Sequence, residues 1–462
     1  RLASGARAAA SHTGSLAVGD EVFDAMLRQY GVLRARNEEQ MLDMIEALCC
    51  DRAPQGRGVG LVTQSGGAGV MMADRAEEIG LDVPELAPQT RSALAAVLPA
   101  FGSSNNPVDV TGQFVSHPEL LRESVVTLLD DPNVHVAIVW LQLMTAHGDT
   151  LVRIFREIRE RTRKPFVVCW VAAAPDALRK LRQEGIPVFG AGERAVEAVG
   201  ALVRHHAHRR EAAARQGERA ALREAVGALS DRLAEVPRAG VQPTLDATAR
   251  LQAAGVPMAP VALARDADEA VEAWRRFGGP VVLKIESVDI THKTEVGGVL
   301  LRLDDEAAIR GGFADLLKRC SAARPGARID GVGVQPMRSG QLELAIGVQR
   351  DPCFGMVVMV AIGGVLIEVL KDVSFRIAPF SHAQALEMLQ ELRMHALFEA
   401  FRGRPALDRD AVAALLSKLS VWAAAMQPWL QELDLNPLLL GSEGASAVDC
   451  VMVLQQPAPS TS

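Results

Sequence analysis

Residues 281–300 read Val281-Val-Leu-Lys-Ile-Glu-Ser-Val-Asp-Ile-Thr-His-Lys-Thr-Glu-Val-Gly-Gly-Val-Leu300. The stretch begins as a β-branched apolar run, breaks into a polar loop and returns to an apolar run through two glycines, which predicts two strands joined by a loop. Lys284 interrupts the first run, and a lysine buried in a strand needs an anionic partner because its desolvation is costly. We therefore predict that this region faces an anion such as a nucleotide phosphate.

Two further features of the loop agree with a phosphate site. Gly297 and Gly298 would let backbone N–H groups approach phosphate oxygens closely, and His292 lies in the same loop. The alternative is a β-hairpin with a solvated loop, and no single residue of the stretch decides between the two. The combination of lysine, histidine and glycines favours the phosphate site.

Length and composition describe a protein of several domains without a nucleic-acid or membrane partner. A chain of 462 residues is expected to hold about three domains of ordinary size. The net charge of -7 and the aromatic content of 4% argue against binding to nucleic acid. Apolar runs stay shorter than the roughly 18 residues that span a bilayer.

The six cysteines are scattered, without a CxxC pair or a zinc-like spacing with histidine. We therefore expect a reducing, cytoplasmic location. The sequence opens with Arg1 and without a signal peptide. We therefore expect the chain to be a fragment or a processed product.

Residues 54–207 show regular alternation of strand-like and helical patterns. Strands are predicted over 59–63, 134–141, 166–171 and 187–189, and helices over 71–79, 118–129, 151–161 and 177–184. Continuous apolar strands between helices indicate a parallel sheet that is covered on both faces. The predicted fold class is α/β, with a flavodoxin-like, doubly wound domain here.

The rest of the chain follows other patterns. Residues 1–53 do not form a domain of their own and are predicted to be the C-terminal remnant of a larger unit. Residues 208–241 alternate charges and alanines, which predicts an exposed helical linker with ion pairs four residues apart. Residues 242–457 mix helices and strands without simple alternation, which predicts an α+β domain.

The lysine strand and the loop from His292 to Gly298 resemble the nucleotide-binding loop of the ADP-forming acyl-CoA synthetases, which are relatives of succinyl-CoA synthetase. In that family a strand lysine is followed by histidine, lysine, serine or threonine, an acid, any residue and two glycines. The resemblance covers nearly the whole chain. It implies that residues 242–457 form an ATP-grasp domain, whose two α+β lobes close on a nucleotide.

A second motif lies near the start of the chain, where Ala9-Ala-Ser-His-Thr-Gly14 surrounds His12. Taken alone, a histidine in a loop of small residues is more often incidental than catalytic. The loop is similar to one in the same synthetases, whose histidine carries a phosphoryl group at the acyl-CoA site. The resemblance thus implies that His12 is catalytic and that residues 1–53 are the end of a succinyl-CoA synthetase-like ligase domain, although Val18 replaces a usual glycine.

The resemblance also implies nucleotide contacts outside the loop. Gln335 and Glu343 correspond to the hinge and the acid that face adenine and ribose in the family. Together with Lys284, Gly297 and Gly298 they form the implied nucleotide site. The sequence pattern alone leaves Glu343 open, because its apolar neighbours also fit an ordinary strand with an exposed residue.

Two residues near the C-terminus are the implied Mg²⁺ ligands. Asn436 lies in Glu432-Leu-Asp-Leu-Asn-Pro437, and Asp449 follows Val448, and both segments resemble the terminal acidic strands of the family. Mg²⁺ takes oxygen ligands and bridges nucleotide phosphates. Without the resemblance, Asn436 would be interpreted as a turn asparagine before proline.

The function implied by the resemblance is that of an ADP-forming acyl-CoA synthetase, an acid-thiol ligase. It would interconvert a carboxylic acid, coenzyme A and ATP with acyl-CoA, ADP and phosphate, using Mg²⁺. A neutral imidazole is nucleophilic near pH 7, so His12 would accept the phosphoryl group from an acyl phosphate. His292 would relay it to ADP, because transfer requires near contact of donor and acceptor.

The CoA-binding domain of the family would precede Arg1. We therefore expect either a homo-oligomer or pairing with a CoA-binding region that this chain lacks. Two other classes stay open: a non-catalytic ATP-binding sensor or degenerate paralogue, and an ATP-grasp amide ligase, which would need no carrier histidine.

Overall fold

The computed structural model describes residues 19–233, 238–364, 372–400, 403, 405–442 and 444–456. The predicted carrier His12 and the neighbouring Val18 lie outside these residues. Contacts divide the chain into two units. One is Tyr30–Arg215, and the other joins the described residues up to Gln29 with those from Gln216 onward.

The Tyr30–Arg215 unit is built on a five-stranded parallel sheet in the order β2-β1-β3-β4-β5. This is the order of a flavodoxin-like, doubly wound sheet. Buried side chains cover both of its faces, which explains why the longer strands are continuous apolar runs. The predicted parallel fold is confirmed. The strands are β1 (Val59–Thr63), β2 (Val108–Asp109), β3 (Val136–Gln142), β4 (Phe166–Val171) and β5 (Val188–Phe189).

The helices of this unit alternate with the strands. They follow α1 (Asp20–Tyr30), which belongs to the other unit except for its last residue. They are α2 (Glu38–Leu48), α3 (Gly66–Glu78), α4 (Pro88–Val97), α5 (Pro118–Asp130), α6 (Gly148–Arg161), α7 (Pro175–Gln183) and α8 (Gly192–Ala214).

The second unit contains two lobes. The small lobe is an antiparallel sheet in the order β7-β10-β8-β9, and helices α11 and α12 supply much of its core. Asp266 begins α11 by accepting bonds from the N–H groups of Asp268 and Glu269. Its elements are β7 (Ala262–Ala264), α11 (Ala267–Phe277), β8 (Val281–Glu286), β9 (Val299–Leu303), α12 (Glu306–Ala323) and β10 (Gly331–Pro336).

The large lobe is a seven-stranded antiparallel sheet in the order β13-β12-β11-β14-β16-β6, with β15 paired to β14. One face packs on helices around a single buried core. Its elements are α9 (Gln216–Ser230), β6 (Gly240–Val241), α10 (Thr244–Ala253), β11 (Leu342–Asp351), β12 (Gly355–Ile362), β13 (Val373–Ile377), α13 (His382–Glu391), α14 (Arg409–Ala425), β14 (Leu430–Gly441), β15 (Gly444–Ala447) and β16 (Cys450–Leu454).

Strand β14 shows how the sequence separates the two faces of this sheet. Leu433 and Leu435 point into the helix-covered core, so the alternation of a strand places Glu432, Asp434 and Asn436 on the opposite face. That face carries the candidate site. Within the described residues, no helix is both long enough and apolar enough to cross a membrane.

Candidate active site

Two lysines of the small lobe meet one carboxylate of the large lobe. Lys284 Nζ donates to the carbonyl oxygen of Val448 at 2.6 Å and lies 3.4 Å from Asp449 Oδ2. Lys293 Nζ lies 3.0 Å from Asp449 Oδ1 and 3.8 Å from Glu286 Oε1. Both lysine side chains are buried. The anion that Lys284 was predicted to need is therefore supplied, in this structure, by Asp449.

The pKa directions in this cluster follow from burial and charge. Burial lowers the pKa of Lys284 and raises the pKa of Glu286. Burial alone would lower the pKa of Lys293, but the neighbouring Asp449 and Glu286 outweigh it and raise that pKa. In the same way the two lysines outweigh burial at Asp449, whose pKa is lowered. Lys293 and Asp449 therefore stabilise each other in their charged forms.

The glycine pair shapes the turn that brings Lys293 into this cluster. Residues Lys293–Val296 form a 3₁₀ turn, which ends at Gly297 with φ of 65°. Gly298 N–H donates to the carbonyl oxygen of Lys293 at 2.7 Å. A Cβ on Gly298 would lie 2.7 Å from Ile285 Cγ2, so only glycine fits there without a shift. Contact of either glycine with a phosphate stays a prediction.

A cavity of about 660 Å³ opens beside the cluster, on the face of the large sheet that the helices leave free. His292, Lys293, Asn436 and Asp449 line it, so the structure brings one predicted catalytic residue and both predicted metal ligands together. A volume of this size is typical of small-molecule sites.

Two predicted nucleotide contacts lie elsewhere in the described structure. Gln335 is buried on β10, paired with Val282 of β8. Glu343 is exposed on β11, and its carbonyl oxygen accepts a bond from Gly363 N–H at 2.7 Å. Neither side chain lines the cavity as the described residues define it, and the same is true of Lys284, Gly297 and Gly298. Contact of Gln335 and Glu343 with adenine and ribose stays a prediction.

Sequence reasoning missed two acids of the site. Glu432 and Asp434 line the cavity beside Asn436, and Asp434 is paired with Gly347 of β11, which has no side chain to cover it. Burial raises the pKa of Asp434 to about 6, the nearby Glu432 and Asp449 add to the rise, and His292 opposes it. The Glu-Leu-Asp-Leu-Asn alternation was the available signal, since acids at every second position share one face.

Lys293 and Glu286 were missed as members of the buried cluster. Glu286 lies two residues after Lys284 on β8, which places both side chains on one face of the strand. Gly333 lies opposite Lys284, and a Cβ there would come within 2.7 Å of Glu286 Oε1. The absence of a side chain at Gly333 on β10 therefore leaves room for the buried carboxylate of Glu286.

The carboxylates of Glu432, Asp434 and Asp449 at one end of the cavity are the kind of oxygen ligand that a divalent cation takes. Burial is the main cause of the raised pKa of Asp434, and the neighbouring carboxylates of Glu432 and Asp449 add to it, so several carboxylate oxygens lie at this end of the cavity. In the part of the chain that the structure describes, no group of three or more His, Cys, Asp or Glu side chains could hold a metal ion. A Mg²⁺ ion here would therefore depend on one or two protein oxygens and on nucleotide phosphates, as is usual for this ion.

Three models of protein families match the chain. A model of the ATP-grasp domain matches residues 234–454, a model of the Ligase-CoA domain matches residues 59–213, and a model of the succinyl-CoA ligase like flavodoxin domain matches residues 1–48.

Curated relatives match over the same regions. Acetate–CoA ligase (ADP-forming) I of Archaeoglobus fulgidus is 36% identical over 458 residues, which are 98% of this chain and 64% of that protein. The beta subunit of acetate–CoA ligase (ADP-forming) I of Pyrococcus furiosus is 35% identical over 200 residues, which are 43% of this chain and 86% of that subunit. The alpha subunit of the same enzyme is 39% identical over 203 residues, which are 43% of each chain. The chain thus spans less than two thirds of the Archaeoglobus relative.

Proposed function

Because this chain belongs to the family of ADP-forming acetate–CoA ligases, we propose that it interconverts a carboxylic acid, coenzyme A and ATP with acyl-CoA, ADP and phosphate. The observation that supports this most is the cavity in which His292, Lys293, Asn436 and Asp449 meet. Phosphoryl transfer depends mainly on positioning and on balancing phosphate charge, and this cavity combines an imidazole with cationic and acidic groups.

In the proposed first step a nitrogen of neutral His292 forms a bond to the γ-phosphorus of ATP. The bond from that phosphorus to the bridging oxygen breaks, and ADP leaves with the electron pair. The group then passes to His12 and on to the carboxylic acid, which gives an acyl phosphate. Attack by the CoA thiolate on the carbonyl carbon releases phosphate and forms the thioester. Lys284 and Lys293 offset phosphate charge in this scheme.

Mg²⁺, when bound, would offset the negative charge of the nucleotide phosphates. Asn436 and Asp449 are the proposed protein ligands, and Asp434 supplies a further carboxylate at the same end of the cavity. Because Asp449 is already paired with two lysines, phosphates that engage the lysines would leave its oxygens freer for the cation.

We also propose that CoA binding requires a region beyond this chain, either in a longer protein or in a paired subunit. The Pyrococcus relative, which has alpha and beta subunits, supports that arrangement, and a homo-oligomer is the other proposed state. A cytoplasmic location is proposed because all six cysteines are free thiols.

Calorimetric titration of Mg-ATP into the 462-residue chain tests the nucleotide site. Lys284→Ala and Asp449→Ala are expected to weaken binding by roughly tenfold or more, since each removes a charge-assisted contact. Lys318→Ala is the matched control, because this lysine is exposed on α12. Unchanged affinity in both site variants would show that the nucleotide binds elsewhere.

Incubation with ATP labelled at the γ-phosphate tests the chemistry. A phosphohistidine gives a protein label that is labile in acid and stable in base. Binding of Mg-ATP without any such label would favour a nucleotide sensor or an amide ligase and would exclude the proposed carrier mechanism.

A further inference from the structure

Lys293 contacts two acids that belong to different lobes. Its Nζ lies 3.0 Å from Asp449 Oδ1 in the large lobe and 3.8 Å from Glu286 Oε1 in the small lobe. Nζ also lies 3.4 Å from the hydroxyl oxygen of Thr244, which is the first residue of α10 in the large lobe. Of these three contacts, only the one with Glu286 joins two residues of the small lobe.

The structure makes room for Glu286 as a buried acid. The residue is 4% exposed at the end of β8, and a buried carboxylate is costly unless a cation or hydrogen bonds offset its desolvation. A Cβ on Gly333 of the neighbouring strand β10 would lie 2.7 Å from Glu286 Oε1. An apolar side chain could fill this place without that cost, so the fold alone does not require an acid here.

The two acids differ in what they keep when a nucleotide binds. Under the proposed function, Asp449 exchanges its lysines for Mg²⁺, so its contact with Lys293 is lost in the nucleotide complex. A contact between lobes also changes whenever the lobes separate to load or release a ligand. Glu286 and Lys293 both lie in the small lobe and move together, so their pairing persists through both events.

The position of Lys293 matters because His292 precedes it directly. Residues Lys293–Val296 form the 3₁₀ turn, with His292 at its N-cap and Gly297 at its end. Gly298 N–H closes the turn by donating to the carbonyl oxygen of Lys293 at 2.7 Å. Since His292 lines the cavity, a contact that fixes Lys293 also fixes the backbone from which the imidazole projects.

We propose that Glu286 is a positioning residue, which holds Lys293 and the turn that carries His292 while Asp449 is engaged with Mg²⁺. The inference rests on the proposed function, because it assumes that Asp449 leaves the lysines and that His292 accepts the phosphoryl group. Without the carboxylate of Glu286, Lys293 follows the phosphates and the turn moves with it. Loss of this acid therefore slows the phosphorylation of His292. It does not weaken nucleotide binding, because it removes a negative charge near the phosphates.

Glu286→Gln tests the proposal, since glutamine keeps the shape of the side chain and loses its charge. Rapid-quench labelling with ATP should show phosphorylation of His292 slowed by roughly tenfold, with the dissociation constant for Mg-ATP unchanged or lower. Gly333→Ala is a second variant, which folds independently of the first and displaces the carboxylate of Glu286; it should slow the same step. The matched control is Glu272→Gln, because this glutamate is exposed on α11, and it should change neither quantity.

Hydrogen exchange gives a second readout, which does not depend on activity. With Mg²⁺ and an ATP analogue whose γ-phosphate cannot be transferred, the amides of Gly297 and Gly298 should exchange roughly tenfold faster in Glu286→Gln than in the parent. Without nucleotide, these amides should exchange at similar rates in the two proteins, because Asp449 then holds Lys293.

The difference between the two states separates positioning from a merely structural role. Faster exchange to the same extent with and without the analogue would overturn the proposal, and so would exchange equal to the parent in both states. Labelling of His292 at the parent rate, or weaker binding of Mg-ATP, in Glu286→Gln would also overturn it. A parent that labels neither histidine would instead refute the proposed function, and hydrogen exchange would still decide whether Glu286 holds the turn.

Discussion

Lys293 of the small lobe lies with its Nζ 3.0 Å from Oδ1 of Asp449 in the large lobe. Lys284 approaches the other oxygen of the same carboxylate at 3.4 Å, so one acid holds two cations from the facing lobe. The same three side chains are those that the proposed function assigns to phosphate and Mg²⁺. Under the proposed function, nucleotide phosphates would take the place of this carboxylate on the lysines, and the carboxylate would then turn to Mg²⁺.

Asp449→Asn is expected to destabilise the second unit by roughly 3 kcal/mol, because it leaves two buried ammonium groups without their carboxylate. The measurement is urea unfolding of parent and variant. Asp268→Asn is the control, since Asp268 is 83% exposed beside Arg310 and its loss should cost less than about 1 kcal/mol. Equal losses of unfolding free energy in the two variants would show that Asp449 stabilises the protein no more than an exposed carboxylate does.

The pKa of Asp434 makes the stability of this lobe depend on pH. Its pKa is raised from 3.8 to about 6 in the folded protein, so between these values the native state keeps a proton that the unfolded state has lost. This contribution to stability is present below pH 3.8 and is lost as the pH rises through about 6.

Asp434→Asn cannot ionise and should escape that loss. Relative to the parent, its free energy of unfolding should increase as the pH is raised from 4 to 7 and then stay constant. Unfolding curves at several pH values measure the difference, with Asp268→Asn as a second reference. A difference that does not change with pH would show that Asp434 titrates normally.

Gly298→Ala should disturb both stability and nucleotide binding. The new Cβ would lie 2.7 Å from Ile285 Cγ2 and 2.9 Å from the carbonyl oxygen of Lys293. Relief of that overlap should cost roughly 1–3 kcal/mol and move Lys293 away from Asp449. Thermal unfolding and calorimetry with Mg-ATP measure the two effects.

The control for Gly298 is Gly311→Ala within helix α12. A Cβ at Gly311 meets nothing within 4 Å, so alanine should be neutral or stabilise by up to about 1 kcal/mol. If the two alanine variants behave alike, the turn does not need a glycine at position 298.

The sequence predicted the parallel sheet better than its helices. β1 and β4 begin and end where the apolar runs do, because a parallel strand covered on both faces is apolar throughout. The helix predicted from residue 71 begins instead at Gly66, because its glycine-rich first turn carries no apolar periodicity. β2 was missed because a strand of two residues, Val108–Asp109, is too short to show alternation.

The candidate site was predictable only in part, because some of its contacts join residues that are far apart in sequence. A buried strand lysine signalled an anion, and Lys284 is indeed buried against one. The identity of that anion was not predictable, because Asp449 lies 165 residues away in sequence and no local pattern records such a contact. Asp434, in contrast, could be predicted from local sequence, because Glu432, Asp434 and Asn436 alternate along one strand and therefore share a face.

The proposed carriers His12 and His292 are expected to act in sequence. His292 lies in the cavity beside Lys293, whereas His12 precedes α1 in a sequence motif that resembles the acyl-site motif of the family. A phosphoryl group moves only between atoms in near contact. With ATP as donor, His292→Ala should therefore abolish the label at both histidines, and His12→Ala should leave His292 labelled while blocking acyl-CoA formation in assays that supply the CoA-binding region.

Labelled peptides from each variant, separated under alkaline conditions, show which histidine carries the phosphoryl group. His382→Ala is the control, because this histidine is exposed on α13 beside Asp410 and should change neither label. Labelling of His12 at the parent rate in His292→Ala would mean that ATP reaches His12 directly. His292 would then be a phosphate ligand within the cavity and not a relay.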